Sequence, residues 1–505
     1  MTSKRQLKRS SPEAEGIPSS AVLEFIRALE QHAHPLDAVQ GLMLLRHGNV
    51  AVEGWWTPYG PESQHPFYSL SKSFTSSGIG MAVQEGLLTV DDPVLKFFPD
   101  EAPANPSENL KTMRVRHLLS MNTGHREDTT GQVFGPQVNL FGRWVHDKEY
   151  TTRHLFRGED DNWPKAFLSL PVDFHPGTWF VYNTAATYML SAIITKLTGM
   201  PLLDYLRSRL FDPLGIENPN WQTDPRGINI GGSGLHGKTE DIARFGQMYL
   251  QKGIWDGQRI LTPEWIAEAT SAHSDNSNTQ TKPDWTMGYG YQFWRCRHDC
   301  YRGDGAFGQY CVVMAEQDAV LAIIGGVQDM QVVLDKVWER LLPAMQPAAL
   351  PADSQAYGEL RDKLAALSLP LPKGQPSSPG AEQWSGKTYK LESNDLNLES
   401  VAIKFSHGRV TLIMRDERGE HPIEVGYDKW LKGTTDVRGY VSESVAACGA
   451  WTADDSYEVR ICYCDSTFCP VFRFQYMDSD LQLEVAPNVS WGTPTVRMIR
   501  GHVAR

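Results

Sequence analysis

Hydrophobic and polar positions follow two different periods along this chain. Between residues 15 and 342, apolar residues recur mostly at helical spacing, with short runs of strand type in between. The first run, Gly41–Trp56, has two apolar stretches around the turn Arg46-His-Gly-Asn49, which is typical of a β-hairpin. The predicted helices are 21–33, 69–84, 113–121, 185–197, 201–210, 240–250, 263–269 and 332–342. The predicted closing strands are 288–294, 306–315 and 320–327.

Beyond residue 380 the period changes to two. Apolar and polar residues alternate in KTYKLE, VAIKF, RVTLIM, VAACGAW, YEVRICYC, VFRFQY and LQLEVA, with turn residues between them. Residues 343–380 are rich in Pro, Ala and Ser around one short predicted helix, and we interpret them as a linker. The sequence therefore predicts a disordered N-terminus (1–14), a large first domain (15–342), the linker, and an all-β barrel or sandwich (381–505).

The composition is typical of a soluble globular protein, with 41% apolar and 21% charged residues. A net charge of -12 argues against nucleic acid or an anionic membrane as the main partner. The chain has no run of eighteen apolar residues, and no apolar run follows its basic start. We therefore expect neither a membrane span nor a signal peptide, but a cytoplasmic protein. The seven cysteines lack the paired CxxC spacing of a zinc site and are expected to be reduced structural thiols.

The main candidate for chemistry is Ser69-x-x-Lys72. At the start of a helix this spacing places the lysine amine beside the serine hydroxyl. A buried lysine with a lowered pKa can act as the base that a serine nucleophile needs. The bare pattern arises by chance about twice in a chain this long, and alone it would indicate a surface serine and a solvated lysine.

Three further segments are candidates for a site. Tyr182-Asn183-Thr184 opens a helix, and Tyr182 is either a core tyrosine or, beside a lysine, a proton shuttle. The glycines of 231–235 suggest backbone running close beneath a ligand. Residues 125–165 are predicted to be a substrate-covering insertion. Its acidic cluster of Glu159, Asp160 and Asp161 is interpreted as a solvated loop rather than a metal site.

Several ordered motifs resemble one known family. They are FYSLSKSF at 67–74, MRVRHLLSMNTG at 113–124, Tyr182-Asn-Thr running into ATYMLSAIITKLTG, and LFDPLGI at 210–216. In order and spacing they are similar to the serine β-lactamase-related group, which includes class C β-lactamases, penicillin-binding proteins and family VIII esterases. The resemblance covers about residues 15–340. It implies an α+β fold in which helices flank an antiparallel sheet of five or more strands, with a helical subdomain inserted between about 85 and 285.

The resemblance also implies roles for individual residues. Ser69 would be the acyl-forming nucleophile, Lys72 its hydrogen-bonded partner, and Tyr182 the general base, ionised by the nearby Lys72. The family's third motif falls on Gly303-Asp304-Gly305. The backbone N–H groups of Ser69 and Ala306 would form the oxyanion hole. Substrate contacts are expected from Tyr68, Asn183, Thr184, Gly303, Asp304 and Gly305.

The chain departs from the family pattern at two motifs. Gly303 stands where the third motif usually has a lysine or histidine, and Arg302 is one residue away. In members that bind β-lactams this cation lies near the substrate carboxylate, so its loss argues against a β-lactamase or transpeptidase. In the second motif the family's Tyr-x-Asn is here Tyr-Asn-Thr. Either Asn183 or Thr184 could therefore hydrogen bond to Lys72 or to substrate.

We therefore expect a serine hydrolase that forms an acyl-enzyme on Ser69 and cleaves a small-molecule ester or amide, with ester preferred. No metal or cofactor is required. Tyr68, Trp163, Trp179, Tyr289 and Trp294 are candidates for an apolar acyl pocket, each being alternatively a core residue. Two alternatives remain: an acyltransferase that uses the same acyl-enzyme, and a non-catalytic binding or assembly protein. Oligomeric state and the task of the C-terminal domain do not follow from the sequence.

Overall fold

The computed structural model describes residues 6–31, 36–134, 162–277, 282–406, 409–439 and 442–504. The helices up to residue 342 are α1 (Ser19–Leu29), α2 (Ser71–Gln84), α3 (Glu108–Thr112), α4 (Val115–Leu119), α5 (Thr130–Phe134), α6 (Trp163–Ser169), α7 (Thr184–Thr198), α8 (Leu202–Leu206), α9 (Asp212–Leu214), α10 (Thr239–Leu250), α11 (Pro263–Thr270) and α12 (Met330–Lys336). The strands in the same part are β1 (Ala38–Arg46), β2 (Asn49–Trp55), β3 (His65–Pro66), β4 (Asn220–Trp221), β5 (Leu235–Gly237), β6 (Ile254–Trp255), β7 (Gln258–Arg259), β8 (Trp294–Arg295), β9 (Tyr301–Gly305), β10 (Gln309–Met314) and β11 (Ala319–Gly326).

The main sheet of this part is antiparallel, with strand order β2-β1-β11-β10-β9-β8. Alternate residues of each strand enter two different cores. Met43 and Leu45 of β1 pack with Phe74 of α2 and with α10. Leu42 and Leu44 pack on the other face with α1 and α12. The sheet therefore lies between two helical layers. The predicted insertion, 85–285, contains α3 to α11. Within it, α10 packs on the sheet beside α2, with Phe245 stacked on Phe74.

The predicted hairpin 41–56 is confirmed as β1 and β2, and the amphipathic helices are confirmed with shifts of up to six residues at their ends. The segment 288–294 differs, because only Trp294 belongs to a strand. Its Tyr289 makes isolated bridges to Ser274 and Trp294 instead. The N-terminal residues 6–14, which we expected to be disordered, are ordered. Leu7 is buried in the core, and residues 8–10 form backbone hydrogen bonds with Val50 of β2.

The remaining helices are α13 (Ser354–Ala365) and α14 (Ala381–Trp384). The remaining strands are β12 (Thr388–Leu391), β13 (Ser400–Ser406), β14 (Arg409–Asp416), β15 (Gly419–Val425), β16 (Leu431–Thr435), β17 (Glu443–Ala453), β18 (Ser456–Tyr463), β19 (Val471–Met477), β20 (Asp480–Ala486) and β21 (Arg497–Val503). The strands β12 to β21 form one antiparallel sheet with the order β15-β14-β13-β12-β21-β20-β19-β18-β17-β16. Gly426, just after β15, exchanges backbone hydrogen bonds with Ala447 and Gly449 of β17. These bonds bring the two ends of the sheet together, so the C-terminal all-β domain is a barrel.

The barrel packs directly on the first sheet. Thr467, in the loop between β18 and β19, donates a hydrogen bond to the carbonyl of Gly325 at the end of β11 (2.7 Å). Cys462, Cys469, Val471 and Ala486 of the barrel belong to the same core as α1 and α12. The seven cysteines are buried, and none forms a disulfide in these described parts of the chain. Among the residues described, no helix has both the length and the apolar character needed to cross a membrane.

Candidate active site

Ser69 lies where the chain turns from β3 into α2. A 3-10 turn, Tyr68–Leu70, leads directly into α2, so the helix begins two residues later than Ser69 itself. Tyr68 has φ 47°, in the left-handed region that bulky residues rarely adopt. Tyr68 and Leu70 are buried, whereas Ser69 is partly exposed. The strained turn thus presents the serine hydroxyl at the surface of an otherwise buried segment.

Lys72 is buried directly beneath Ser69. Its side chain is 1% exposed. Its amine lies within hydrogen-bond distance of three oxygens: Ser69 Oγ at 3.0 Å, Thr184 Oγ1 at 3.1 Å and the Gly232 carbonyl at 2.7 Å. Burial lowers the pKa of Lys72 to about 7, against the opposing effect of the Asp128 and Asp304 carboxylates. Near neutral pH a large fraction of this amine is therefore uncharged.

Tyr182 borders the same space from the start of α7. Its ring stacks on Trp294 at 5.2 Å between centroids, and the Lys72 amine lies 4.8 Å from the ring centroid. The phenol hydrogen bonds to Ser69, but burial raises the pKa of Tyr182 well above its usual value. The expectation that Tyr182 is ionised by Lys72 is therefore wrong. The cause is that desolvation disfavours the phenolate more than its neighbours stabilise it.

The structure separates Asn183 from Thr184. Asn183 is fully buried and caps α7, accepting hydrogen bonds from the backbone N–H groups of Ala185 and Ala186 at 3.1 and 3.4 Å. Its amide also contacts Thr129. Thr184, one residue later, directs its hydroxyl to Lys72. The position that resembles the family's asparagine is therefore taken by a threonine, and Asn183 does not lie where we expected a substrate contact.

The third motif lies on β9 and packs tightly against the turn that carries Ser69. A Cβ on Gly303 would lie 2.5 Å from Leu70 Cδ1, and one on Gly305 would lie 2.1 Å from the Phe67 carbonyl oxygen. Glycine is thus required at both positions for the strand to approach this turn. The next residue, Ala306, is partly exposed and packs against the cluster that contains Tyr68, the residue before Ser69.

Arg302 and Asp304, the two charged residues of β9, form an ion pair with each other. Arg302 is fully buried and binds the Asp304 carboxylate at 2.8 and 2.9 Å. It also donates to the Asp284 carbonyl at 2.7 Å, and its guanidinium lies 4.3 Å from the Trp285 ring centroid. Burial raises the pKa of Asp304 while Arg302 opposes that rise. Arg302 therefore does not replace the missing third-motif cation, and Asp304 is not free for the substrate contact that we expected.

The glycine-rich segment 231–235 supports Lys72 rather than a ligand of its own. Gly232 supplies the carbonyl bound by the lysine, and a Cβ there would lie 2.5 Å from Thr184 Cγ2. This contact was not predicted, since only the density of glycines indicated a close approach. Asp128 was also missed. It accepts a hydrogen bond from Thr130 N at 3.0 Å, and Thr130 accepts one from Thr184 N.

The aromatic candidates for an acyl pocket lie in four different surroundings. Tyr289 and Trp294 contact Tyr182. Trp163 is a core residue, stacked on Phe134 at 4.2 Å, and Trp179 is 41% exposed against Phe174. Tyr68 is buried under the barrel, as described below. Residues 135–161 of the predicted substrate-covering insertion, with Glu159, Asp160 and Asp161, lie outside the described residues. Within the described ranges no cluster of His, Cys, Asp or Glu could hold a metal ion.

Comparisons with known proteins identify the family of this chain. The family model described as Beta-lactamase matches residues 29–328, more than half of the chain. One curated relative is 6-aminohexanoate-dimer hydrolase of Paenarthrobacter ureafaciens, 23% identical over 47% of this chain and 58% of its own length. Another is the putative D-alanyl-D-alanine carboxypeptidase of Salmonella agona (strain SL483), 25% identical over 40% of this chain and 43% of its own length. The chain thus spans about half the length of the curated relatives it matches.

Solved structures show the same fold at low identity. EstCE1, described as a hydrolase with promiscuous acyltransferase activity, superposes with a TM-score of 0.50 and 17% identity over 63% of this chain and 99% of its own. A penicillin-binding protein homologue from Caulobacter crescentus gives a TM-score of 0.50 and 16% identity over 67% of this chain and 100% of its own. Given the family match across residues 29–328 and the fold described above, the chain belongs to the Beta-lactamase family.

Proposed function

We propose that this protein is a serine hydrolase that forms an acyl-enzyme on Ser69 and cleaves a small-molecule ester. The observation that carries the proposal is the buried Lys72 amine, 3.0 Å from Ser69 Oγ, with a pKa lowered to about 7. A serine hydroxyl needs a neighbouring base to attack a carbonyl at neutral pH, and an uncharged amine at this distance is such a base.

The contacts of Lys72 support its role as the base. An uncharged amine has two hydrogens and one lone pair. The Gly232 carbonyl and Thr184 Oγ1 can accept the two hydrogens, so the lone pair is left facing the Ser69 hydroxyl. Lys72 takes the serine proton as Oγ bonds to the substrate carbonyl carbon. The Tyr182 hydroxyl, hydrogen bonded to Ser69, then relays a proton to the leaving group, and this relay does not require a free tyrosinate.

The oxyanion is stabilised by backbone N–H groups. Ser69 lies in the turn that leads into α2, and its N–H is favourably placed at the positive end of that helix. Gly305 holds Ala306 beside this turn. The two N–H groups of Ser69 and Ala306 therefore form the oxyanion hole of the proposed reaction. Water, activated by Lys72 and Tyr182, removes the acyl group in the second step.

The charges around the site favour an ester without a carboxylate. Arg302 is held by Asp304, so the third motif offers no free cation to a carboxylate substrate. The curated relatives have names of amide and peptide hydrolases, so an amide is the matched competitor in the test. An ester is the easier substrate, because its alkoxide or phenolate leaving group needs less help from the Tyr182 proton than an amine does.

The experiment is intact-protein mass spectrometry with a fluorophosphonate, combined with turnover of p-nitrophenyl butyrate and its p-nitroanilide analogue. We expect one phosphonyl adduct on the wild type, none on Ser69→Ala, and faster ester than anilide turnover. Ser76→Ala is the matched control, because Ser76 is buried on the same helix. It should label like the wild type. A folded wild type that forms no adduct would overturn the proposal. A stable acyl adduct without turnover would instead indicate a transferase lacking its acceptor.

A further inference from the structure

The C-terminal barrel reaches the residues on either side of the proposed oxyanion hole. Tyr68 precedes Ser69 and Phe307 follows Ala306 in the chain. These two side chains form one apolar cluster with Val489 of the barrel, and Ala306 and Phe468 pack against it. Phe468 lies between β18 and β19, and Val489 lies between β20 and β21. One side of the candidate active site is therefore built jointly by both domains.

We call this jointly built side of the site the wall, and Trp491 is its most exposed ring. Its ring centroid lies 5.0 Å from that of Phe307 and 6.1 Å from that of Tyr68, both in edge-on geometry. Phe307 and Tyr68 are only 5% and 2% exposed, whereas Trp491 is 49% exposed. Trp491 therefore presents an indole surface to solvent directly beside the residues that flank Ser69 and Ala306.

The loop that carries Trp491 is held in place by the first domain. Gln328, two residues after β11, binds the backbone on both sides of the tryptophan. Its amide donates to the carbonyls of Ser490 at 3.0 Å and Gly492 at 3.3 Å, and its Oε1 accepts from Ser490 N at 2.8 Å. Hydrogen bonds from Gln328, just after β11 of the main sheet, thus fix the position of Trp491, as a binding residue requires.

We propose that Trp491 is a specificity-determining residue, which binds an uncharged, apolar acyl group of the substrate at the oxyanion-hole side of Ser69. This proposal rests on the proposed function. The five side chains that form the wall with it, at positions 68, 306, 307, 468 and 489, offer aromatic and aliphatic surface and no charge. Arg438, whose guanidinium lies 5.2 Å from the Phe468 ring centroid, is paired with Glu443. A charged acyl group on this wall would therefore lose its hydration with little compensation, whereas an aliphatic or aromatic one gains contact area.

The test measures kcat/KM of the full-length protein for p-nitrophenyl acetate, butyrate and octanoate. For Trp491→Ala we expect a loss of at least about tenfold for octanoate and less than about twofold for acetate, since the short acyl group does not extend over the indole. Trp491→Phe should restore most of the preference. Gln328→Ala should shift the preference in the same direction, because it releases the loop. Met498→Ala, at a 54% exposed position of β21, is the control and should behave like the wild type.

Labelling of Ser69 by a small methyl fluorophosphonate separates the two proposals. We expect the same labelling rate for Trp491→Ala and the wild type, because the ring contacts of Trp491 are with Phe307 and Tyr68, which have no role in the proposed proton transfer. Normal labelling with an unchanged chain-length preference would overturn the role of Trp491 alone. An equal loss for all three esters would also overturn it, since that pattern indicates a structural effect. A wild type that does not label would contradict the proposed function and, with it, this proposal.

Discussion

The two sides of Ser69 differ in chemistry, because one is polar and the other is aromatic. On one side Lys72, Thr184 and the Gly232 carbonyl form a buried polar cluster in which each group contacts the lysine amine. On the other side Tyr68, Phe307 and Trp491 form an aromatic wall without charge. The polar cluster comes from three segments of the first domain, whereas the wall is completed only by the C-terminal barrel.

This difference assigns catalysis to the polar side of Ser69 and substrate selection to the aromatic side. A buried polar cluster shifts pKa values and holds protons, so changes in it should alter the rate for every substrate alike. An apolar wall discriminates by contact area, so changes in it should alter the ranking of substrates. The division holds if the substitutions described below on the polar side lower kcat/KM equally for all esters. It fails if any of them changes the chain-length preference.

Lys72→Met should have the largest effect of the substitutions that leave the nucleophile in place. We expect kcat/KM for p-nitrophenyl esters to fall by about 10³-fold or more, because Ser69 then lacks its base. Lys72→Arg should be similarly inactive, since a guanidinium stays protonated at all working pH values. Circular dichroism and thermal unfolding check that both variants fold. If Lys72→Arg kept most of the activity, the lysine would act through its positive charge and not as a base.

Tyr182→Phe should have a smaller effect, of about 10²-fold in kcat/KM. The phenol orients Ser69 and relays a proton, but burial keeps it un-ionised in the free protein. In the wild type, kcat/KM should fall at low pH as Lys72 is protonated, and we call this fall the acidic limb of the pH profile. The Tyr182→Phe variant should retain it. Loss of that limb together with a rate loss as large as that of Lys72→Met would instead identify a tyrosinate as the base.

The pH dependence of the wild type follows from the lowered pKa of Lys72. The uncharged amine is the active form, so kcat/KM should be constant well above the lysine pKa of about 7. It should fall by about tenfold for each pH unit below it as the amine is protonated. Butyrate and octanoate esters should give the same apparent pKa, because Trp491 does not titrate. A flat profile between pH 5 and 8 would contradict the role of Lys72.

The sequence is sufficient where the determining contacts are local. The i, i+3 spacing of Ser69 and Lys72 predicts their hydrogen bond, and the period of two predicts the barrel strands. It is insufficient where a property is summed over many distant neighbours. The ionisation of Tyr182 depends on its total burial. Whether Arg302 can bind a substrate carboxylate depends on its pairing with Asp304. The contact of Trp491 with Tyr68 joins two domains, and no local pattern indicates it.

Thr184→Val should have the smallest effect and decides which residue serves the second motif. The valine keeps the shape but removes the acceptor for Lys72, a hydrogen bond worth about 1 kcal/mol, so we expect a loss of several-fold in kcat/KM at pH 8. Because the hydroxyl stabilises the protonated amine, its loss should also lower the lysine pKa and move the acidic limb to lower pH. Thr184→Ser should restore both values.

Asn183→Ala is the matched comparison for this last prediction. Asn183 caps α7, so its loss should lower the free energy of unfolding by about 1 kcal/mol while leaving the acidic limb in place. Denaturant unfolding and the pH profile, measured on both variants, distinguish the two residues. If Asn183→Ala moved the limb and Thr184→Val did not, the amide would be the group that tunes Lys72. The polar side of Ser69 would then extend further into the helical subdomain than the contacts of Lys72 indicate.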